Sequence, residues 1–157
     1  MKNTVVVAVL SGVMAACGGE KKAEAPAADT SKAVAAAPAP AAPATGATND
    51  VNMVLEGTTY KFVPAELTVK VGDQVVFHNV SGGPHNVAFY ADSVPAGAKE
   101  VIDPQLKDEL GPMSSKLLVE PNETLTISFA NAPVGVYKFT CTPHMAMKMH
   151  GQITVTK

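Results

Sequence analysis

The chain has 157 residues and a formal net charge of −2, from 12 basic residues, all of them lysine, against 14 acidic ones. No basic stripe exists to pair with phosphates, so nucleic acid is excluded as a partner, and the slight acidic excess names no partner of its own. Composition divides the chain into an apolar leader, an Ala/Pro-rich stretch, and residues 51–157, which carry nearly all the aromatic and branched side chains and suffice for one modest core.

Lys2 gives the leader a positive start, and residues 4–16 are mainly apolar and small. That run is too short to cross a bilayer as a helix and has the dimensions of a signal peptide. It ends in Met14-Ala15-Ala16-Cys17-Gly18, which resembles a bacterial lipobox with Met14 in place of the usual leucine. The resemblance implies removal of residues 1–16, acylation of Cys17, and anchoring by several acyl chains on the periplasmic or cell-surface side of a bacterial membrane. An ordinary secretory signal is the alternative, and it too places the mature protein outside the cytoplasm. Residues 17–50 follow, with Pro26, Pro38, Pro40 and Pro43 interrupting runs of alanine and few larger apolar side chains. A disordered tether is expected there. It would span roughly 30 Å as a coil and up to about 100 Å if drawn into polyproline II. Such a tether either lets the domain reach partners or merely clears the surface layer.

The domain, residues 51–157, reads as short strands. Residues 51–55 suit the first. Leu67-Thr68-Val69-Lys70-Val71 alternates apolar and polar, the period of a half-buried strand, and Gly72-Asp73 marks a turn. Residues 74–80 form the next strand through Val75, Val76 and Phe77. Residues 103–110 suit one short helix, with Asp103 as N-cap and Pro104 at the first helical position. Residues 116–119 suit a strand. In residues 124–129, Leu125, Ile127 and Phe129 fall on one face after the Pro121-Asn122 turn. Strands over 136–139 and 152–156 complete the set. Many short strands between regular turns define an all-β sandwich.

Chemistry concentrates in two places. Cys141-Thr142-Pro143-His144 follows a strand, and Met149 comes five residues after His144. His85 stands in Gly82-Gly83-Pro84-His85-Asn86. A thiolate, a thioether and two imidazoles select copper over a hard ion, and two histidines, one cysteine and a weak axial methionine make the blue-copper arrangement. Of the two cysteines, Cys17 and Cys141, each has a use other than a disulfide. His78, beside Phe77 in a strand, and His150 are expected to have ordinary surface or edge roles.

These residues carry a resemblance. Gly83-Pro84-His85-Asn86-Val87 with Asp92-Ser93-Val94-Pro95-Ala96-Gly97 resembles the first ligand loop of plastocyanins. Tyr137-Lys138-Phe139-Thr140-Cys141-Thr142-Pro143-His144 with Met149-His150-Gly151 resembles the second. The similarity implies a cupredoxin-type Greek-key β-sandwich with a type 1 site whose ligands to one copper ion are His85, Cys141, His144 and Met149. It implies that Asn86 braces the two loops near Thr142, whose hydroxyl can act as its partner. Met147 would give the shorter ligand spacing of amicyanins. Met149 gives the longer spacing of plastocyanins and pseudoazurins and also fits their Met-x-Gly ending, so it is preferred.

The resemblance further implies a monomeric one-electron carrier, not an enzyme. Its partners would be redox proteins such as cytochromes or membrane redox complexes. Electrons would leave through His144 within an apolar patch formed with Pro84, Met145 and Met147, although the two methionines can equally cover the loop's interior. Plant plastocyanins place a tyrosine just before the copper cysteine, flanked by acidic clusters. Thr140 stands there in this chain. A copper-buffering role is the rival function. An enzyme would need further copper ligands, and the chain has four histidines in all.

Overall fold

In the computed structural model, which describes residues 44–106 and 110–157, the apolar alternation becomes eight strands. They are β1 (Thr48–Glu56), β2 (Thr59–Val63), β3 (Glu66–Lys70), β4 (Gln74–Asn79), β5 (Ala88–Phe89), β6 (Thr124–Ser128), β7 (Gly135–Thr140) and β8 (His150–Thr156). The leader, Cys17 and the tether up to residue 43 lie outside the described residues, as does the 107–109 part of the expected helix. No helix among the described residues is long and apolar enough to cross a membrane.

The strands form two four-stranded sheets, ordered β2-β1-β4-β6 and β3-β8-β7-β5. The β1–β4 and β3–β8 pairs are parallel and the remaining pairs antiparallel. Each sheet turns one set of alternate side chains inward. Val51, Met53, Phe62, Val75, Phe77 and Ile127 from the first sheet are buried, as are Val69, Phe89, Tyr137, Phe139, Ile153 and Val155 from the second. Edge-to-face ring contacts organise the centre: Phe139 lies 4.8 Å from Phe62 and 5.4 Å from Phe77 by ring centroids. Such aromatic pairs add roughly 0.5–1.5 kcal/mol each beyond burial. At the start of β7 the Tyr137 hydroxyl donates to the Pro133 carbonyl at 2.6 Å, tying the strand to its own turn. Burial pushes its phenol up to about 12.

Four expectations change. First, β1 begins at Thr48 and so takes in three positions assigned to the tether, because they pair in parallel with β4 from Thr48–Gln74 onward. The Asp73 carboxylate fixes this junction by accepting from the Ala47 and Lys70 N–H groups at 2.7 and 2.8 Å. Second, the helix lies upstream of residues 103–110. It is α1 (Ala98–Ile102), which buries Ala98 and Ile102, and Asp103–Gln105 continues as a 3-10 turn. The Asp103 carboxylate caps no helix and instead accepts from the Met113 N–H. Third, residues 116–119 form no strand. Leu118 makes an isolated bridge to His85, and Glu123 bends the chain by accepting from Val119 and Glu120. Fourth, β2 and β5 have no counterpart among the expected strands.

Candidate metal centre

Two loops meet at one end of the sandwich. The first leaves β4 and carries His85. The backbone N–H of His85 donates to the Leu118 carbonyl at 3.0 Å, and Leu118 returns the bond at 2.7 Å. Asn79, fully buried, closes the same loop by donating from Nδ2 to the carbonyls of Gly83 and Leu118. The second loop joins β7 to β8 through a 3-10 turn, Thr142–Met147. It is drawn tight because the Cys141 N–H donates to Met149, Met149 to His144, and His144 to Cys141.

This folding places three donor atoms together. Cys141 Sγ lies 3.6 Å from His85 Nδ1 and 3.4 Å from His144 Nδ1, and the ligand atoms of all three residues fall within 4.8 Å of one another. All three side chains are buried. Ser81 Oγ sits 3.2 Å from His85 Nε2, which suits an Nε2–H donor and leaves Nδ1 free to ligate. Met149 is fully buried, with its backbone bonded to those of Cys141 and His144, whereas Met145 and Met147 are 45% and 52% exposed.

Burial sets the protonation states. It lowers the His85 pKa to about 4, helped by the neighbouring His144, and it lowers that of His144 as well. Both imidazoles are therefore neutral at pH 7, which is the ligating form. Burial raises the Cys141 thiol, an effect opposed by the N–H groups of Asn86 and His144. A cation entering between these atoms would displace the thiol proton and be held by one anionic sulfur and two neutral nitrogens. The donor set fits copper: soft sulfur, borderline nitrogen and no carboxylate in the cluster.

Asn86 and Thr142 make the expected contact between the loops, with the Thr142 N–H donating to Asn86 Oδ1 at 2.7 Å and Asn86 Nδ2 donating to Thr142 Oγ1 at 3.2 Å. Asn86 also reaches Ser114 Oγ at 3.0 Å, a partner that the motif does not reveal. Pro84 is exposed, as the patch requires, while His144 retains only 7% exposure. The remaining histidines stand apart from the cluster. His78 pairs with Asp50 at 2.7 Å on the central strand β4, and His150 Nδ1 faces the Tyr90 hydroxyl at 3.2 Å. Tyr60 on β2, which was not among the candidate residues, packs against both clustered imidazoles. No spacing rule connects it to them, because it belongs to neither ligand loop.

A buried His-Cys-His centre at one end of a two-sheet β-sandwich defines a small copper-protein class. Residues 49–156 match the family of copper binding proteins described as plastocyanin/azurin, and the chain belongs to it. It is 39% identical to plastocyanin of Ginkgo biloba over 106 residues, covering 68% of this chain and 98% of that one. It is 36% identical to plastocyanin of Rumex obtusifolius over 94 residues, covering 60% and 86%. Among solved structures, a mutant fern plastocyanin superposes with a TM-score of 0.51 at 33% identity, covering 68% of this chain and 99% of that chain. A pseudoazurin from Sinorhizobium gives 0.51 at 27% identity, covering 71% and 76%. The fold is thus the cupredoxin sandwich, and the cofactor is copper.

Proposed function

We propose that His85, Cys141, His144 and Met149 hold one copper ion and that the chain carries single electrons between redox proteins outside the cytoplasm. Bound copper supplies a one-electron couple. The protein's own residues keep the donors in place. The reciprocal His85–Leu118 backbone bonds fix one loop, the Cys141–His144–Met149 backbone bonds fix the other, and Asn86 joins them. A site whose donors are held this firmly changes little when the charge of its ion changes, which favours rapid transfer. Burial of all three clustered donors restricts access to the centre, so carriage fits better than catalysis. Met149, the buried methionine of the loop, would supply the fourth donor.

His144, nearest the surface of the three, is the exit for the electron, within a patch that includes Pro84 and the exposed Met145 and Met147. Redox encounters are small and transient, and soft thioether side chains suit them. Cys17 anchors the mature chain by its lipid, and residues 18–47 tether a monomeric domain that reaches cytochromes or membrane redox complexes. The observation that carries the assignment is the convergence of three buried donor atoms within 4.8 Å. Its test is the visible spectrum of the copper-loaded protein. An intense blue thiolate band is expected, and Cys141→Ser should abolish it; a colourless wild-type protein overturns the reading. Anchoring is tested separately, since Cys17→Ser should move the chain from the membrane to the soluble fraction.

A further inference from the structure

Tyr60 stacks face to face on His144, with ring centroids 3.7 Å apart and planes inclined by 14°. The same ring meets His85 edge-on, at 5.4 Å and 65°. The two imidazoles are themselves 4.7 Å apart and tilted by 51°. One half-buried tyrosine therefore touches both rings of the centre.

The two histidines differ in what else orients them. A ligating imidazole is normally held by a hydrogen bond at the nitrogen that does not face the metal. His85 has such a contact at Ser81 Oγ. His144 has none: among the described residues its ring makes one polar contact, Nδ1 with Cys141 Sγ. Rotation about its Cβ–Cγ bond would carry Nδ1 away from the sulfur, and no hydrogen bond from a described residue to Nε2 opposes it. The near-parallel face of Tyr60 does oppose it, because turning the imidazole would drive its edge into the phenol ring. Tyr60 is itself set in place by β2, which pairs with β1 through Leu55–Tyr60 and buries Phe62 in the core.

We propose that Tyr60 is a positioning residue that holds the His144 imidazole with Nδ1 toward Cys141 before any metal arrives. Its packing does for His144 what the Ser81 contact does for His85. The ring matters for this role and the hydroxyl does not. The inference rests on the reading of His144 as a copper ligand.

The test compares Tyr60→Leu with Tyr60→Phe in the full chain. In the metal-free protein, the His144 ring protons should show an upfield ring-current shift in proton NMR. Tyr60→Phe should keep it and Tyr60→Leu should lose it. After copper loading, Tyr60→Leu should release the ion to a chelator roughly tenfold faster than wild type, while Tyr60→Phe should stay within about twofold. Equal release from all three proteins overturns the inference while leaving the copper reading intact. Failure of the wild type to bind copper removes the copper reading instead, and the metal-free shifts still decide the stack. Should Tyr60→Leu fail to fold, the wild-type spectrum alone is decisive, because unshifted His144 ring protons contradict the stack.

Discussion

Asn86 and Thr142, 56 positions apart in the chain, exchange two hydrogen bonds across the gap between the ligand loops. Asn86 follows His85 and Thr142 follows Cys141, so the contact locks two donor-bearing residues through their immediate neighbours. The shorter of the two bonds, at 2.7 Å, takes the Thr142 backbone N–H to the buried Asn86 side chain.

Replacing Asn86 by leucine should therefore break the link between the loops and loosen both. The expected cost to the metal-free protein is about 1 kcal/mol, the net worth of a hydrogen bond lost where water can reach the freed group. Copper affinity should fall about tenfold or more, as for other groups that support metal ligands. Urea unfolding and a competition titration with a copper chelator measure the two effects. Thr142→Val keeps the backbone N–H bond and should cost less.

The three methionines of the second loop make a discriminating set. Met149 is fully buried and Met147 is 52% exposed. Substitution of Met149 by leucine should shift the visible spectrum and the reduction potential of the copper protein. Met147→Leu and Met145→Leu should leave the spectrum unchanged and alter only the rate of electron exchange with a partner. A spectral change in Met147→Leu with none in Met149→Leu would reverse the axial assignment.

Gly151 offers a packing test close to the site. A Cβ at this position would lie 2.3 Å from Cζ of the Phe139 ring, which is itself buried against Phe62 and Phe77. Gly151→Ala should force that ring to move and cost about 1–3 kcal/mol, the usual penalty for overpacking a filled core. Phe139 stands two residues before Cys141, so the thiolate band should broaden or shift as well. Thermal unfolding and the visible spectrum read the two consequences.

Acid stability should depend on Asp73. Its carboxyl is held below the usual carboxylate range, mainly by the Lys70 N–H and further by that of Ala47, with burial opposing them. A depressed folded-state pKa means that ionised Asp73 stabilises the fold above the ordinary carboxylate pKa. That contribution disappears as pH falls through the depressed value. The gap in melting temperature between wild type and Asp73→Asn should be constant near neutral pH and close in acid. A gap that persists unchanged in strong acid would contradict this role.

Much of the sandwich is written in local alternation. Val69 on β3, Val75 and Phe77 on β4, and Ile127 on β6 fall on the inner face as period two requires. The 116–119 stretch shows the limit of local signals, since a short apolar run becomes a strand only when a neighbour pairs along its length, and within it Leu118 alone makes a bridge. Asp103-Pro104 reads as a helix start, yet the side chains that could be buried there, Ala98 and Ile102, drew the helix upstream. Burial across the core outweighed a capping preference worth about 1 kcal/mol.

By itself the sequence named the four proposed ligands, because donor chemistry and the spacing within each loop motif are local properties that carry the resemblance to plastocyanins. The Asn86–Thr142 partnership was legible only through that resemblance, since nothing in the local spacing joins residues on separate loops. Only the tertiary structure decided that Tyr60 lies over His144, that Ser81 faces His85, and that Met149 is enclosed while Met147 is open. Those relations arise where separate strands and loops converge, and contacts between segments distant along the chain follow from the packing of the whole sandwich and not from the spacing within any one of them.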